Sequence, residues 1–361
     1  MNDANELISF IASMSGEGNL RVEENLGEGY VRLRVSEAER RQAKHDIQHV
    51  EDIVIEMLRN ARDAGADKVY LATTKEDGVR TLVFLDNGSG VPQDMQERIF
   101  DARVTSKLES MKMDRWGVHG RGMALFSIKQ NTDEARVVAS DVDLGSVFKV
   151  SVATDRLGER ADQSSWPQAV KDEDGHYVCA RGPHNIIRAA CEFALEELRA
   201  CDVYLGSPSE IAATLHAQAS SRLDASLLLF IDDEAELPVV DRLGLASDAE
   251  DFIRICAGLG LEMSERTAHR ILAGQIKPVR GVTARLLRER DSSSHASAPV
   301  DLAKDRRGLR IAKDDMAQFS RAVERDFNDL ASRYYLNLCG DPKIRVSRDR
   351  ITVTFDLAKE E

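Results

Sequence analysis

Between Glu56 and Phe126 three short polar motifs each adjoin an apolar segment, and this arrangement restricts the fold more than any other feature of the chain. The first is Glu56-Met-Leu-Arg-Asn60-Ala-Arg-Asp63-Ala-Gly-Ala66. The second is Asp86-Asn-Gly88-Ser-Gly90, and the third Gly117-Val-His-Gly120-Arg-Gly122-Met123-Ala-Leu-Phe126. Glu56, Asn60 and Asp63 are spaced by four and three, so a helix carries them on one face. Asp86 closes the apolar run Thr81-Leu-Val-Phe-Leu85, which reads as a strand, and opens a turn. Gly117, Gly120 and Gly122 lie before and within the start of an apolar helix. Taken singly, each has a plain structural reading: a solvated helix face, a turn, a flexible loop. Taken together, they ask for a fold in which a helix face, a strand end and a glycine-rich loop converge.

The residue types suggest what they would converge on. A carboxylate and an amide oxygen on one helical stripe can serve a hard cation and a water molecule together, Asn60 offering the neutral oxygen and Glu56 polarising the water. A carboxylate at a strand end accepts a hydrogen bond from an exocyclic amine such as that of adenine, and glycines beside it let a flat base approach the backbone. Glycines ahead of a helix let several N–H groups turn toward one anion, aided by the helix dipole. The third motif is not the dinucleotide fingerprint, because a charged loop stands where a strand should precede it, and no Gly-Lys-Ser/Thr follows to make a Walker loop.

Periodicity places these motifs in an α+β frame. A short helix is expected over residues 3–14, a strand within 30–35, and one long helix from Ser36 to about Ala64. Strands over 67–74 and 81–86 form a hairpin through Lys75-Glu-Asp-Gly78. A helix at about 120–131 and strands at 134–140 and 146–154 follow. That order predicts a mixed, mostly antiparallel sheet with helices on one face. The pattern breaks at 155–167, which is read as a domain boundary. Beyond it, helices are expected at 185–200, 207–222, 248–259, 264–273 and 313–337, with an apolar run at 226–231, a low-complexity linker at 291–300 and a C-terminal β-hairpin. The expected division is therefore a domain at 1–155 that carries the three motifs, a mainly helical domain at 156–290 and a C-terminal helix and hairpin at 301–361.

The motif set resembles the GHKL superfamily of DNA gyrase B subunits, large heat-shock chaperones, sensor histidine kinases and MutL. Glu56…Asn60…Asp63-Ala-Gly-Ala66 is very similar to the MutL form of its first motif. Asp86-x-Gly88-x-Gly90 matches the second, and Gly117-x-x-Gly120-x-Gly122 the lid motif. Thr105-Ser106-Lys107 resembles the MutL triplet ahead of the lid, and Arg121-Gly122-x-Ala-Leu resembles its Arg-Gly-Glu-Ala-Leu, with Met123 replacing the glutamate. The resemblance covers residues 45–155. It implies a Bergerat α/β sandwich that binds ATP and Mg2+ under a mobile lid. Glu56 would then be the general base, Asn60 the magnesium ligand and Asp86 the reader of adenine. Asp63, Gly88, Gly90, Thr105, Lys107, Gly117, Gly120, Gly122 and Met123 complete the implied nucleotide site. Lys277, Lys304 and Lys313 are unranked candidates for the γ-phosphate lysine that a following domain supplies in MutL and gyrase.

Composition bounds the rest. At 361 residues the chain is long enough for two or three cores, and no apolar run is long enough for a membrane span, so a cytoplasmic protein without a secretory signal is expected. A formal charge of −13 argues against a surface that coats nucleic acid throughout. Five cysteines without C-x-x-C spacing read as reduced thiols. Residues 248–274 read as helix, tight turn, helix, and residues 264–290 carry six arginines and one lysine against two glutamates. That local excess suits DNA phosphates, and it equally suits a solvated helical hairpin. His45 and His49 stand on the expected long helix ahead of Glu56, which argues against a histidine phospho-acceptor. The expected activity is ATP hydrolysis driving lid closure and a change of association, with a homodimer on ATP binding and a further protein partner. The alternatives are a non-hydrolysing nucleotide sensor and a protein kinase acting in trans.

Overall fold

The apolar run before Asp86 becomes the middle of a five-stranded sheet. The computed structural model describes residues 22–106, 122–160, 162–198, 200–223 and 233–287, the backbone of 112–114 and 117–119, and short stretches between 316 and 359. Two compact units divide the chain, Met1–Asp291 and Ser292–Glu361. The helix expected at 3–14, the apolar run at 226–231, the linker at 291–300 and most of the helix expected at 313–337 lie outside the described residues.

In the first unit the elements run β1 (Val22–Gly27), β2 (Tyr30–Leu33), α1 (Glu37–Asp46), α2 (Val50–Asp63), β3 (Lys68–Glu76), β4 (Val79–Asp86), β5 (Val104–Thr105), β6 (Lys112–Asp114), β7 (Gly117–His119), α3 (Ala124–Asn131), β8 (Glu134–Ser140) and β9 (Ser146–Ala153). They continue with β10 (Gln168–Lys171), β11 (Tyr177–Arg181), α4 (Ile186–Glu196), β12 (Asp202–Gly206), α5 (Pro208–Arg222), α6 (Ala249–Gly258) and α7 (Glu265–Leu272). The sheet order is β12-β3-β4-β9-β8, antiparallel except for the parallel pair of β12 and β3. Asp77 and Gly78, both at positive φ, turn β3 into β4.

The sheet is covered on both faces, which corrects the expectation of helices on one. Alternation along the strands sorts the core. Val69, Leu71, Leu82, Phe84 and Phe148 point into one cluster with α2 and α4, whereas Tyr70, Ala72, Val83, Leu85 and Val147 point into a second with α5, α6 and α7. An unbroken apolar strand such as Leu82–Leu85 needs burial on both sides, and α5 to α7 supply the second side. Strand β12 joins the sheet after the break at 155–167, so residues on either side of that break share one sheet and one compact unit.

The long helix expected from Ser36 to Ala64 is two helices. Ser36 and Glu39 form a capping box that starts α1, and Ile47 leaves it in an extended conformation with its side chain buried. The Asp52 carboxylate then accepts from the backbone N–H of Gln48 at 2.9 Å and of His49 at 2.8 Å, which caps α2. His45 and Glu56 therefore sit on different helices. The later helices follow their caps: Asn185 for α4, Ser207 with Pro208 and Glu210 for α5, Asp248 for α6 and Ser264 for α7. Cys179, Cys191, Cys201 and Cys256 are buried, and burial pushes the Cys201 and Cys256 thiols up to about 12.

The second unit contains two antiparallel pairs, β13 (Leu336–Leu338) with β16 (Leu357–Lys359) and β14 (Lys343–Val346) with β15 (Ile351–Thr354). Phe327 and Phe355 stack at 4.0 Å. No helix among the described residues is long and apolar enough to cross a membrane.

Candidate nucleotide site

Helix α2 buries Ile53, Val54, Met57 and Leu58 against the sheet, and this fixes the rotation of its polar stripe. Glu56, Asn60 and Asp63 emerge on the wall of a cavity of about 590 Å³. Asp86, Ser89, Gly90 and Val91 add the end of β4 and its turn, while Gly122, Met123, Ala124, Leu125 and Ser127 add the start of α3. Thr105 and Ser106 line it from β5, and Tyr30, Gln42 and Asp46 from β2 and α1. Of the residues read from the motifs, Glu56, Asn60, Asp63, Asp86, Gly90, Thr105, Gly122 and Met123 thus border one space. Lys107 and Gly120 lie outside the described residues.

Two motif residues fall elsewhere than expected. Gly117 begins strand β7, paired with β6, and α3 starts only at Ala124, later than the expected start near 120. Gly88 is not on the cavity wall. Its N–H donates to Asp86 Oδ1 at 2.8 Å, and a Cβ there would lie 2.8 Å from Ala64 Cβ. It shapes the Asp86 turn by letting it close on the end of α2.

Asp86 is 4% exposed, and its backbone pairs with Val69 and Ser146. A buried carboxylate held in the middle of a sheet is a fixed acceptor, because no side-chain entropy remains to be lost when a donor arrives. Gly90 has φ +72, and a Cβ on it would come within 1.8 Å of the Asp141 carbonyl oxygen. Only glycine satisfies both conditions. Around Asp63 the Arg62 guanidinium donates Nε to Oδ1 at 3.1 Å and Nη1 to Glu197 Oε1 at 3.1 Å, tying the end of α2 to α4.

At the other end of the cavity, Arg103 N–H donates to the Gly122 carbonyl at 2.9 Å and Ser127 Oγ to the Met123 carbonyl at 2.8 Å. β5 pairs with β2, so Thr105 stands beside Val31. The Tyr30 hydroxyl is raised from its usual pKa chiefly by burial, against a hydrogen bond with Ser106 that lowers it.

Asn60 is the cavity residue whose amide oxygen would hold a cation. Its Nδ2 is buried with no hydrogen-bond partner, so no hydrogen bond from that nitrogen fixes the amide. It shares the cavity with the carboxylates of Asp46, Glu56, Asp63 and Asp86, the hard oxygen donors that Mg2+ favours. Elsewhere, Asp172, Asp174 and His176 bring potential ligand atoms within 4.8 Å of one another on an exposed turn. The Asp172 carboxylate already accepts from the N–H groups of Asp174 and His176, and that turn geometry accounts for the cluster.

Residues 47–140, which carry the helix stripe, the Asp86 turn and the glycine motif, match the family model for histidine kinase-, DNA gyrase B- and HSP90-like ATPases. The chain carries a GHKL domain. It is also 28% identical over 136 residues to the DNA mismatch repair protein MutL of Staphylococcus aureus strains Newman and JH1, covering 35% of this chain and 20% of theirs. The chain spans about a fifth of the length of the MutL relatives it matches, and the alignment covers 20% of them.

Several cavity residues of this GHKL domain escaped the motif reading. Arg59 lies inside the first motif, and its spacing of three from Glu56 was a readable pairing signal. Tyr30, Gln42 and Asp46 carried no such signal, because they reach the cavity only through the packing of β2 and α1.

Proposed function

We propose that the GHKL domain binds Mg-ATP and hydrolyses it slowly, and that nucleotide binding closes the segment 101–119 and changes the protein's association, with a homodimer and a further protein partner as its outcomes. The observation that carries this reading is the convergence of Glu56, Asn60 and Asp86 on one cavity with the start of α3. Asp86 reads the adenine amine from the floor of the β4 turn. The N–H groups that follow Gly122 receive the phosphates. Asn60 holds magnesium, with Glu56 oriented toward the attacking water. Bound magnesium supplies charge neutralisation at the β- and γ-phosphates. Glu56 takes a proton from the water as its oxygen attacks the γ-phosphorus, and the bond to the bridging oxygen breaks to leave ADP. Ligand binding favours the closed state by the difference in affinity between the two states.

Calorimetry with a non-hydrolysable ATP analogue, together with phosphate release from ATP, tests the reading. Binding with turnover is the expected result. Binding without turnover favours a nucleotide sensor, and labelled phosphate transferred to a second protein favours a kinase. Hydrogen exchange across 101–119 slows when the analogue is added, if that segment closes over it.

A second reading has its own support. Arg266, His269 and Arg270 are exposed on α7, and Lys277 and Arg280 are exposed beyond it, while Ala268 and Ile271 pack inward against α6. This exposed basic stretch suits the phosphates of duplex DNA. Titration of labelled duplex at low ionic strength gives binding that falls steeply with salt. Reversing Arg266 and Arg270 to Glu abolishes it and leaves phosphate release unchanged. No binding at low salt overturns the reading.

A further inference from the structure

Arg59 borders the cavity beside Asn60, three residues after Glu56. Its side chain is 3% exposed, and its Nη1 donates to Glu56 Oε1 at 2.7 Å, while the Glu56 side chain is 22% exposed. The other buried positions of this helix are mostly apolar, including Ile53, Val54, Ile55, Met57 and Leu58. Taking a guanidinium out of water costs several kcal/mol before any pairing returns it, on the order of what a buried ion pair recovers. Arg62, one position short of a turn further on, shows what a tying arginine looks like, since its contacts run to Asp63 and across to Glu197 on the segment after α4. Arg59 places a buried guanidinium on the carboxylate that faces the cavity.

The geometry points to Arg59 as a positioning residue for Glu56. Its permanently charged guanidinium donates from Nη1 to Oε1 and so restricts the orientation of the carboxylate. A glutamate on a surface helix samples many rotamers, whereas a glutamate held at one oxygen by a buried group presents the same orientation to each water. In hydrolysis the water proton passes to the Glu56 carboxylate, the water oxygen bonds to the γ-phosphorus, and the bond to the β–γ bridging oxygen breaks with its electrons leaving on ADP. Arg59 takes no part in these bond changes and acts through the placement of the base. This rests on the reading of Glu56 as the general base.

The test combines kinetics with stability in the full chain. Arg59→Met lowers kcat on the order of 10²-fold, as a misplaced reacting group does. KM and the affinity for a non-hydrolysable analogue stay within about threefold, because a contact to the base is not a ground-state contact to ATP. Arg59→Lys, which keeps the charge without the fork, falls between Met and the wild type. In a Glu56→Gln background Arg59→Met causes no further loss of kcat, since the residue acts through Glu56. The nucleotide-free protein supplies a readout independent of turnover: Arg59→Met lowers the melting temperature by more on its own than when Glu56→Gln accompanies it. An unchanged kcat in folded Arg59→Met, an equal loss in the Glu56→Gln background, or melting temperatures that simply add would each overturn the proposal while Glu56 keeps its role. If the wild type binds ATP and releases no phosphate, the ATPase reading falls and the proposal falls with it, whatever the melting temperatures show.

Discussion

The two faces of the central sheet are built for different ends. On one, α1, α2 and α3 leave a cavity at the end of β4, and buried polar groups stand around it: Arg59, Asp86, Ser127 and Ser146. On the other, Tyr70, Val83, Leu85 and Val147 meet α5, α6 and α7 in a core that holds Phe252, Ile211 and Leu215 at full burial. The first face retains polar groups that dry packing would not select, because a buried polar atom costs free energy unless something satisfies it. The second face has the composition of ordinary packing. The contrast teaches that the strands of one sheet serve both tasks, and that alternate residues of β3 and β4 decide which side chain goes to which.

Four measurements would break or sharpen that contrast. The largest effect belongs to Glu56→Ala on the cavity face. It lowers phosphate release by about 10²–10⁴-fold, the usual range for loss of a general base, while the affinity for a non-hydrolysable analogue measured by calorimetry holds. Unchanged turnover in the folded variant would remove Glu56 from the chemistry.

The next effect is on the opposite face. Phe252→Ala empties a fully buried position and lowers the unfolding free energy by about 3–5 kcal/mol in denaturant titrations. In the fraction that remains folded, nucleotide affinity is unaltered. A matching loss of ATP affinity would mean that the two faces are coupled through the sheet rather than independent.

Asp86→Asn follows, on the cavity face again. The amide keeps the shape and can still accept from Gly88, but it can also set its NH₂ against the adenine amine. Affinity falls by about 1.5–3 kcal/mol, the value of a hydrogen bond to a charged group. The melting temperature moves little. Equal affinity by calorimetry would place adenine elsewhere.

The smallest effect tests a polar cluster that serves stability alone. Glu159 is 8% exposed and pairs with Arg80 and with Lys75 at 2.9 Å, joining the β3–β4 hairpin to the chain after β9. Burial works to raise its pKa, but the hydrogen bonds and charges of Arg80 and Lys75 outweigh it and hold the group below its ordinary 4.5. A carboxyl with a depressed folded pKa contributes stability above its unfolded pKa and loses it as the pH falls through the folded value. Thermal melts should therefore show the wild type losing its advantage over Glu159→Gln as the pH drops below about 4.5, with a difference on the order of 1 kcal/mol at neutral pH. A gap that persists unchanged to low pH would show that the carboxylate charge is not what stabilises this corner.

The sequence by itself determined the parts that depend on neighbours along the chain. The spacing of Glu56, Asn60 and Asp63 set them on one helical stripe, Asp77-Gly78 turned β3 into β4, and Ser36, Ser207 and Ser264 started their helices, because helical faces, turns and caps are settled within a few residues. The cavity motifs were legible for the same reason: each is a short run beside one apolar element. Tertiary structure decided the break between α1 and α2 by burying Ile47, which, together with the local Asp52 cap, outweighed a continuous helical pattern. It decided that β12, five residues long, is a strand, since its partner Lys68–Ala72 lies more than a hundred residues earlier. It also brought Tyr30, Gln42 and Asp46 to the cavity, and it covered the second face of the sheet with helices that follow the 155–167 break. Those outcomes depend on contacts between segments far apart in the chain. Burying apolar area is non-directional, so an apolar pattern states that a residue will be buried and leaves to the assembled fold what it will be buried against.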